Sequence, residues 1–128
     1  MNEETKFSQK YMKTINDLKS ELDVPFLIAN EHGFITFVND HFKEVFGWTS
    51  NDIVGKTIST IIPKSYHDAH HLSFSRFAVT EKPTVLNHPL KLVAVTKDGR
   101  EIESEHFITA EQIEGKWFFG ATLRPIGK

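Results

Sequence analysis

Cysteine is absent from the 128-residue chain, and its absence excludes several kinds of chemistry. Without thiols the protein has no disulfide, no thiolate nucleophile, no Cys-ligated zinc or iron–sulfur centre, and no chromophore held as a cysteinyl adduct. A chain without cysteine is also compatible with a reducing compartment. Any functional site must therefore be built from other side chains.

Strong charge of one sign and long apolar runs are lacking as well. With a formal net charge of -2, the chain has no excess of basic side chains that would favour binding to nucleic acid or to an anionic membrane. No apolar run approaches the roughly 20 residues that cross a bilayer, and the first residues, MNEETKFSQKYMK, lack the apolar centre of a signal peptide. We therefore predict a soluble, cytoplasmic protein with neither nucleic acid nor a membrane as its partner.

Tryptophan and tyrosine are scarce, with 2 of each, whereas phenylalanine occurs 11 times. Rigid, flat side chains fill a hydrophobic core, and they also line cavities for flat ligands. A chain of this length forms about one domain. We therefore expect one core and at most one site for a small molecule.

The first 22 residues carry a helical pattern. Their apolar residues recur at steps of three and four, with charged and amide side chains between them: Phe7, Tyr11, Ile15, Leu18 and Leu22. We predict an amphipathic N-terminal helix over residues 1–22, capped by Ser8 and ended before Pro25. Such a stripe must be buried on the domain itself or on a second copy, so the pattern also predicts a homodimer formed through this helix.

Residues 23–128 have the pattern of a single α+β domain. The stretch PFLIANEHGFITFVN reads as a hairpin turning at Gly33, and DHFKEVFG and SNDIVG read as short helices capped by Asp40 and Ser50. A longer helix, KSYHDAHHLSFSRF, is followed by three alternating segments that contain Leu90, His106 and Trp117. We predict a five-stranded antiparallel sheet with short helices across one face.

The longer helix contains the most distinctive side chains of the chain. At about 100° per residue, His70 falls in the middle of an apolar stripe formed with Tyr66, Phe74 and Phe77. His70 is therefore expected to point at the sheet. An inward histidine is either a core residue paired with a backbone group or a ligand for a metal.

Other chemistry on this helix is poorly supported by the pattern. His67 and His71 could share zinc at helical spacing, but a stable site needs three or four protein ligands and the neighbouring residues supply only Asp68, at a divergent angle. No nucleophile elbow and no glycine-rich phosphate loop occur. We interpret His67 and His71 as solvated side chains and expect the chain not to be an enzyme.

Two stretches, FLIANEHGFITFVNDHFKEVFGWTSNDIVGK and the later KDGREIE, form a recognisable pattern. It consists of Gly33, Asn39, Phe46, Gly47, Trp48, Gly55, Lys56 and the turn that begins at Lys97. This pattern resembles that of the PAS (Per-ARNT-Sim) family. It implies a sensor or dimerisation module that regulates a kinase, cyclase or chemoreceptor domain, as in two-component systems. The ending LRPIGK lacks the family's Asp-Ile-Thr-like junction, which leaves open the direction in which a signal would leave the domain.

A narrower resemblance concerns the ligand. The segment IPKSYHDAHHLSFSRF is similar to the helix that holds haem b in oxygen-sensing PAS domains, which implies His70 as the proximal iron ligand, Phe74 and Phe77 against the macrocycle and Arg76 near a propionate. Those sensors carry an arginine where this chain has Leu90, and aliphatic residues where it has His106 and Ile108.

His106 is the other candidate for a site residue. It alternates in phase with Ile102 and Ile108, so we expect it to face the cavity opposite His70. Two interpretations follow: a sensor that holds haem or another small ligand, or a cofactor-free interaction module with a filled core and structural histidines.

Overall fold

The computed structural model describes residues 14–21, 23–67 and 89–126. It confirms the predicted α+β class. Its elements in chain order are helix α1 (Ile15–Lys19), strands β1 (Phe26–Asn30) and β2 (Ile35–Val38), helices α2 (Asp40–Phe46) and α3 (Ser50–Ile53), two 3₁₀ turns (Ile58–Ile61 and Lys64–Tyr66), and strands β3 (Pro89–Val95), β4 (Glu101–Ile113) and β5 (Lys116–Pro125). Within the described ranges no helix is long and apolar enough to cross a lipid bilayer.

The five strands form one antiparallel sheet in the order β2-β1-β5-β4-β3. Successive side chains of a strand point to opposite faces, and in this sheet both faces carry apolar side chains. Its inner face packs against α2 and α3 through a core that includes Leu27, Ile35, Phe42, Phe46, Ile53 and Leu123. Its outer face packs against α1 through Phe26, Phe107 and Phe118.

The N-terminal helix differs from its prediction at both ends. Thr14 has an extended backbone, its hydroxyl accepts a hydrogen bond from the Asp17 amide, and the Asp17 carboxylate accepts one from the Thr14 amide. This reciprocal capping box starts a helix at Ile15, so a helix continuous from Phe7 to Leu22 is interrupted at Thr14. The helix ends at Lys19, and the predicted cap at Ser8 lies outside the described residues.

Helix α1 is attached to the outer face by apolar and polar contacts. Ile15 and Leu18 are buried in the cluster that contains Phe26. The Ile15 amide donates to Oε1 of Glu111 at 2.7 Å, which satisfies a free donor at the start of the helix. Just beyond the other end, Glu21 pairs with Arg124 at 3.2 Å. The helix therefore runs along β5 from the β4–β5 hairpin towards Arg124.

Gly120 on β5 allows α1 to lie close to the outer face of the sheet. A Cβ atom at this position would stand 3.0 Å from Cγ1 and 3.3 Å from Cγ2 of Ile15. We predict that Gly120→Ala lowers the free energy of unfolding by about 1–2 kcal/mol, because Ile15, which is buried against Phe26, would have to shift to make room for the methyl group. Urea unfolding would measure the loss.

The matched control for this substitution removes the atoms that the new methyl would meet. In an Ile15→Ala background, Gly120→Ala should cost much less than in the wild type, since the two side chains no longer collide. An equal cost in both backgrounds would contradict the packing of α1 over Gly120.

Two helix caps are displaced by one residue from the predicted ones. Asn39, rather than Asp40, caps α2, and its Oδ1 accepts from the Phe42 amide at 3.0 Å. Thr49, rather than Ser50, caps α3 in a capping box with Asp52. Asp40 and Ser50 are instead the first helical residues of α2 and α3. Gly47 ends α2 as predicted, with φ of 82°.

Candidate functional site

The candidate site is the inner face of the sheet along β4. On this strand the alternate residues Ile102, Ser104, His106 and Ile108 share one face. In the antiparallel register His106 lies opposite Leu123 of β5 and opposite Leu90 of β3. Leu123 belongs to the core between sheet and helices. The side chain of His106 therefore points inward, as its alternation predicted.

His106 is a buried imidazole without full hydrogen bonding. It is only 9% exposed, and its Nε2 has no hydrogen-bond partner among the described residues. Burial alone lowers the pKa of His106 from 6.5 to about 4, because the charged form loses its hydration. The imidazole is therefore neutral at pH 7, with one nitrogen directed into the inner layer and left unused.

A second buried polar side chain lies next to His106 on the same face. Ser104 is fully buried, and its hydroxyl donates to the carbonyl of Ile102 at 3.3 Å. Ser104 was not among the predicted site residues. Its position two residues before His106 on the same strand would have placed it on the inner face by the same alternation. The inner wall thus combines one satisfied hydroxyl with one unsatisfied imidazole nitrogen.

The predicted site residues fall into two groups. Leu90 and Ile108 lie beside His106 on the inner face and are half-buried, and Ile108 packs against the core. The other predicted residues, His70, Phe74, Arg76 and Phe77, lie outside the described residues. The structure therefore brings together the sheet-side half of the predicted site, and the helix-side half stays a prediction.

The beginning of the histidine-rich segment is described as far as His67. Lys64–Tyr66 forms a 3₁₀ turn, and Nε2 of His67 donates to the carbonyl of Ile62 at 2.7 Å. His67 is partly buried in this contact, so it is not the solvated side chain that its place on the helix wheel indicated. This bond engages Nε2 of the imidazole locally.

A separate concavity opens beside the β3–β4 turn. Its volume is about 460 Å³, and it is bordered by Phe46, Gly47, Lys97, Asp98 and Arg100. Lys97 pairs with Asp52 at 3.0 Å, and Arg100 pairs with Asp98 at 3.1 Å, so both cations are engaged locally. This concavity is open to solvent and contains none of the predicted ligand-binding residues.

The described fold is an antiparallel sheet in the order β2-β1-β5-β4-β3 with short helices over one face, and the buried imidazole of His106 faces the helices. A family model described as "PAS domain" matches residues 23–124. The chain belongs to the PAS domain family. Domains of this family are sensor modules and are generally non-catalytic.

Individual relatives agree with this assignment. An uncharacterized protein of Azorhizobium caulinodans is 28% identical over 101 residues, which are 78% of this chain and 14% of that protein. The sensor protein FixL of Bradyrhizobium diazoefficiens is 20% identical over 100 residues, 78% of this chain and 20% of that protein. The chain thus spans a fifth or less of the length of these curated relatives.

One solved structure shows the same fold over nearly the whole chain. It is the crystal structure of a PAS domain from a two-component sensor histidine kinase, with a TM-score of 0.66 and 14% identity. The match covers 98% of this chain and 100% of that structure. At this identity the likeness concerns the fold alone.

Proposed function

We propose that the chain is the sensory domain of a larger signalling protein and binds its ligand between the inner face of the sheet and the segment that contains His70. The observation that carries the proposal is Nε2 of His106, which is buried on the inner face and has no hydrogen-bond partner within residues 14–21, 23–67 and 89–126. An unsatisfied buried polar group costs about 1–3 kcal/mol. A ligand that accepts from this nitrogen, or binds to it, would offset that cost.

The specific ligand that we propose is haem b, with His70 as the iron ligand. The sheet-side residues fit such a group, because a flat apolar macrocycle suits the aliphatic surface of Leu90, Ile108 and Leu123 around one neutral imidazole. Haem iron, when bound, would supply the ability to bind diatomic gases or to change oxidation state. The similarity of the histidine-rich segment to oxygen-sensing PAS domains supports the same choice.

The side chains around the proposed ligand have distinct roles. His70 would bind the iron through a neutral imidazole, and Phe74 and Phe77 would exclude water from that side. Leu90 has no hydrogen-bond donor, so polar discrimination on the sheet side falls to His106. Arg76 would lie at the rim, near a propionate.

We further propose a homodimer and an effector domain elsewhere in the protein. The chain spans a fifth or less of its curated relatives, which leaves ample length for an effector in proteins of that kind. A kinase is the effector that we favour, because the matched PAS structure comes from a histidine kinase. Apolar residues of the N-terminal segment would contribute to the dimer.

Titration with hemin, followed by absorption, tests the proposed ligand. The wild-type protein should bind one equivalent, and His70→Ala should weaken binding at least about a hundredfold, since even indirect partners of a metal ligand contribute about 10–100-fold. His71→Ala is the matched control, because it removes a neighbouring imidazole from the polar side of the predicted helix, and it should bind like the wild type.

Two outcomes would contradict the haem proposal. Saturable binding that His70→Ala leaves unchanged would exclude His70 as the iron ligand. A wild-type protein that causes no saturable change in the hemin absorption spectrum would favour the cofactor-free interaction module.

A further inference from the structure

The concavity beside the β3–β4 turn has the size of a small-molecule site. It is bordered by two residues at the end of α2 and by three residues of the turn: Phe46, Gly47, Lys97, Asp98 and Arg100. Its volume of about 460 Å³ falls within the range of about 300–1,000 Å³ that is common for such sites. The concavity therefore has room for a small organic molecule, away from the inner face of the sheet.

The walls of the concavity are fixed by contacts within the protein. The Lys97 amide donates to the carbonyl of Phe46 at 2.9 Å, and Nζ of Lys97 contacts both carboxylate oxygens of Asp52 at 3.0 Å. Just before the turn, Nε1 of Trp48 donates to the carbonyl of Val95 at 2.9 Å. The turn is thus bonded to α2, to α3 and to the residue after Gly47, so the concavity is formed before any ligand binds.

Arg100 has hydrogen-bond donors that the protein does not use. Its Nε contacts the two carboxylate oxygens of Asp98 at 3.2 and 3.1 Å. Neither of its terminal nitrogens has a partner within residues 14–21, 23–67 and 89–126. These two nitrogens carry four of the five N–H donors of a guanidinium group, and they form the planar fork that binds carboxylates.

The acidic side chains at the concavity are already engaged. Both oxygens of Asp52 accept from Lys97, and Oδ2 also accepts from the Thr49 amide at 3.0 Å. Oδ1 of Asp98 accepts from the hydroxyl of Thr96. The bonds from Thr49 and Lys97 lower the pKa of Asp52 to about 2, and the bond from Thr96 lowers the pKa of Asp98. Both carboxyl groups are therefore ionised at pH 7 and cannot donate to a ligand.

The charge around the concavity favours a ligand with one negative charge. Lys97 and Arg100 are balanced by Asp52 and Asp98, so the four side chains are neutral together. A carboxylate gains the free edge of the guanidinium at modest repulsion from the two acidic groups. A phosphate group, with a charge of about −1.5 to −2, would meet about twice that repulsion.

We propose that the concavity is a second ligand site, which binds the carboxylate of a small organic acid through two parallel hydrogen bonds from the terminal nitrogens of Arg100. Lys97 adds its charge and the N–H that the two oxygens of Asp52 leave over. This site is independent of the ligand proposed for the inner face, with which it shares no residue.

An NMR titration of the isotopically labelled full chain with sodium propionate tests the site. The Nε–H signal of Arg100 and the amide signal of Gly99 should shift and saturate, and sodium phosphate should bind at least about threefold more weakly because of its larger charge. Equal shifts with sodium chloride at the same ionic strength would overturn the site. Tighter binding of phosphate than of propionate would overturn the choice of a carboxylate.

Arg100→Lys distinguishes the guanidinium fork from simple charge. Lysine keeps the positive charge but lacks two parallel donors, so the affinity for propionate should fall about tenfold or more. Arg124→Lys is the matched control, because Arg124 is also exposed and paired with a carboxylate, that of Glu21, but does not border the concavity. It should bind propionate like the wild type. An Arg100→Lys variant with wild-type affinity would overturn the role of Arg100 and the proposed site.

Discussion

His106→Leu is expected to stabilise the ligand-free protein and to reduce its sensitivity to acid. At pH 7 the substitution removes a buried nitrogen without a partner, which should raise the free energy of unfolding by about 1–2 kcal/mol. The larger effect on the free energy of unfolding is expected below neutral pH, where protonation of the buried wild-type imidazole is unfavourable.

The sign of the acid effect follows from the depressed pKa of His106. Unfolding raises that pKa from about 4 to the ordinary 6.5, so the unfolded chain takes up a proton that the folded one excludes. The stability contributed by the neutral imidazole is complete above pH 6.5 and is lost as the pH falls towards 4. The loss amounts to about 3 kcal/mol across that window.

Urea unfolding at a series of pH values would measure both effects. The wild type should lose about 3 kcal/mol more than His106→Leu between pH 7 and pH 4. His32→Gln is the control, because it removes an exposed imidazole and should follow the wild-type curve. Parallel curves for the wild type and His106→Leu would show that His106 is not a buried neutral imidazole.

Asn39→Ala should be the most destabilising of the polar substitutions proposed here. Oδ1 of Asn39 accepts from the amides of Phe26 and Phe42, and its Nδ2 donates to the carbonyl of Val24 at 2.9 Å. One side chain thus joins the segment before β1 to the start of α2. Its loss removes the side-chain partner of three backbone groups, of which the Phe42 amide keeps a bond to the Asn39 carbonyl at 3.2 Å, and we expect a cost of about 2–3 kcal/mol.

Thr49→Ala is the matched control for Asn39→Ala. Thr49 caps α3 within its own capping box and joins no distant segment through that bond, so its loss should cost about 1 kcal/mol. Urea unfolding of both variants gives the comparison. Equal costs would mean that the bonds from Asn39 to Phe26 and Val24 contribute nothing beyond an ordinary helix cap.

The strands and the inward direction of His106 could be predicted from the sequence because both depend on local alternation. Ile102, His106 and Ile108 are separated by even steps, and a strand places such residues on one face whatever the rest of the fold does. The turn at Gly33 was predictable for a similar reason, since glycine readily adopts the positive φ, 85°, that this turn has.

The first residues of the helices were harder to predict, because more than one neighbouring residue is able to cap a helix. Apolar spacing continues through Thr14, but the reciprocal bonds between Thr14 and Asp17 start helix α1 at Ile15. Asn39 and Asp40 are both good caps, and contacts with Phe26 and Val24, distant in sequence, favour Asn39. Spacing along one segment carries no information about such distant partners.

Nε2 of His106 has no hydrogen-bond partner in the part of the chain that the structure describes, and this too depends on tertiary structure. Whether a buried nitrogen finds an acceptor depends on which side chains the sheet brings opposite it, and here these are Leu90 and Leu123. Alternation along β4 predicted that the imidazole faces inward, but it did not predict which side chains lie next to it.

The most direct test of the inner-face site is an NMR titration of the imidazole nitrogens with zinc protoporphyrin, a diamagnetic analogue of haem. If the ligand binds where we propose, the Nε2 signal of His106 should shift and saturate at one equivalent, while the signals of the exposed His32 stay in place. Saturable binding that leaves the His106 signals unchanged, or an absence of binding, would contradict the account.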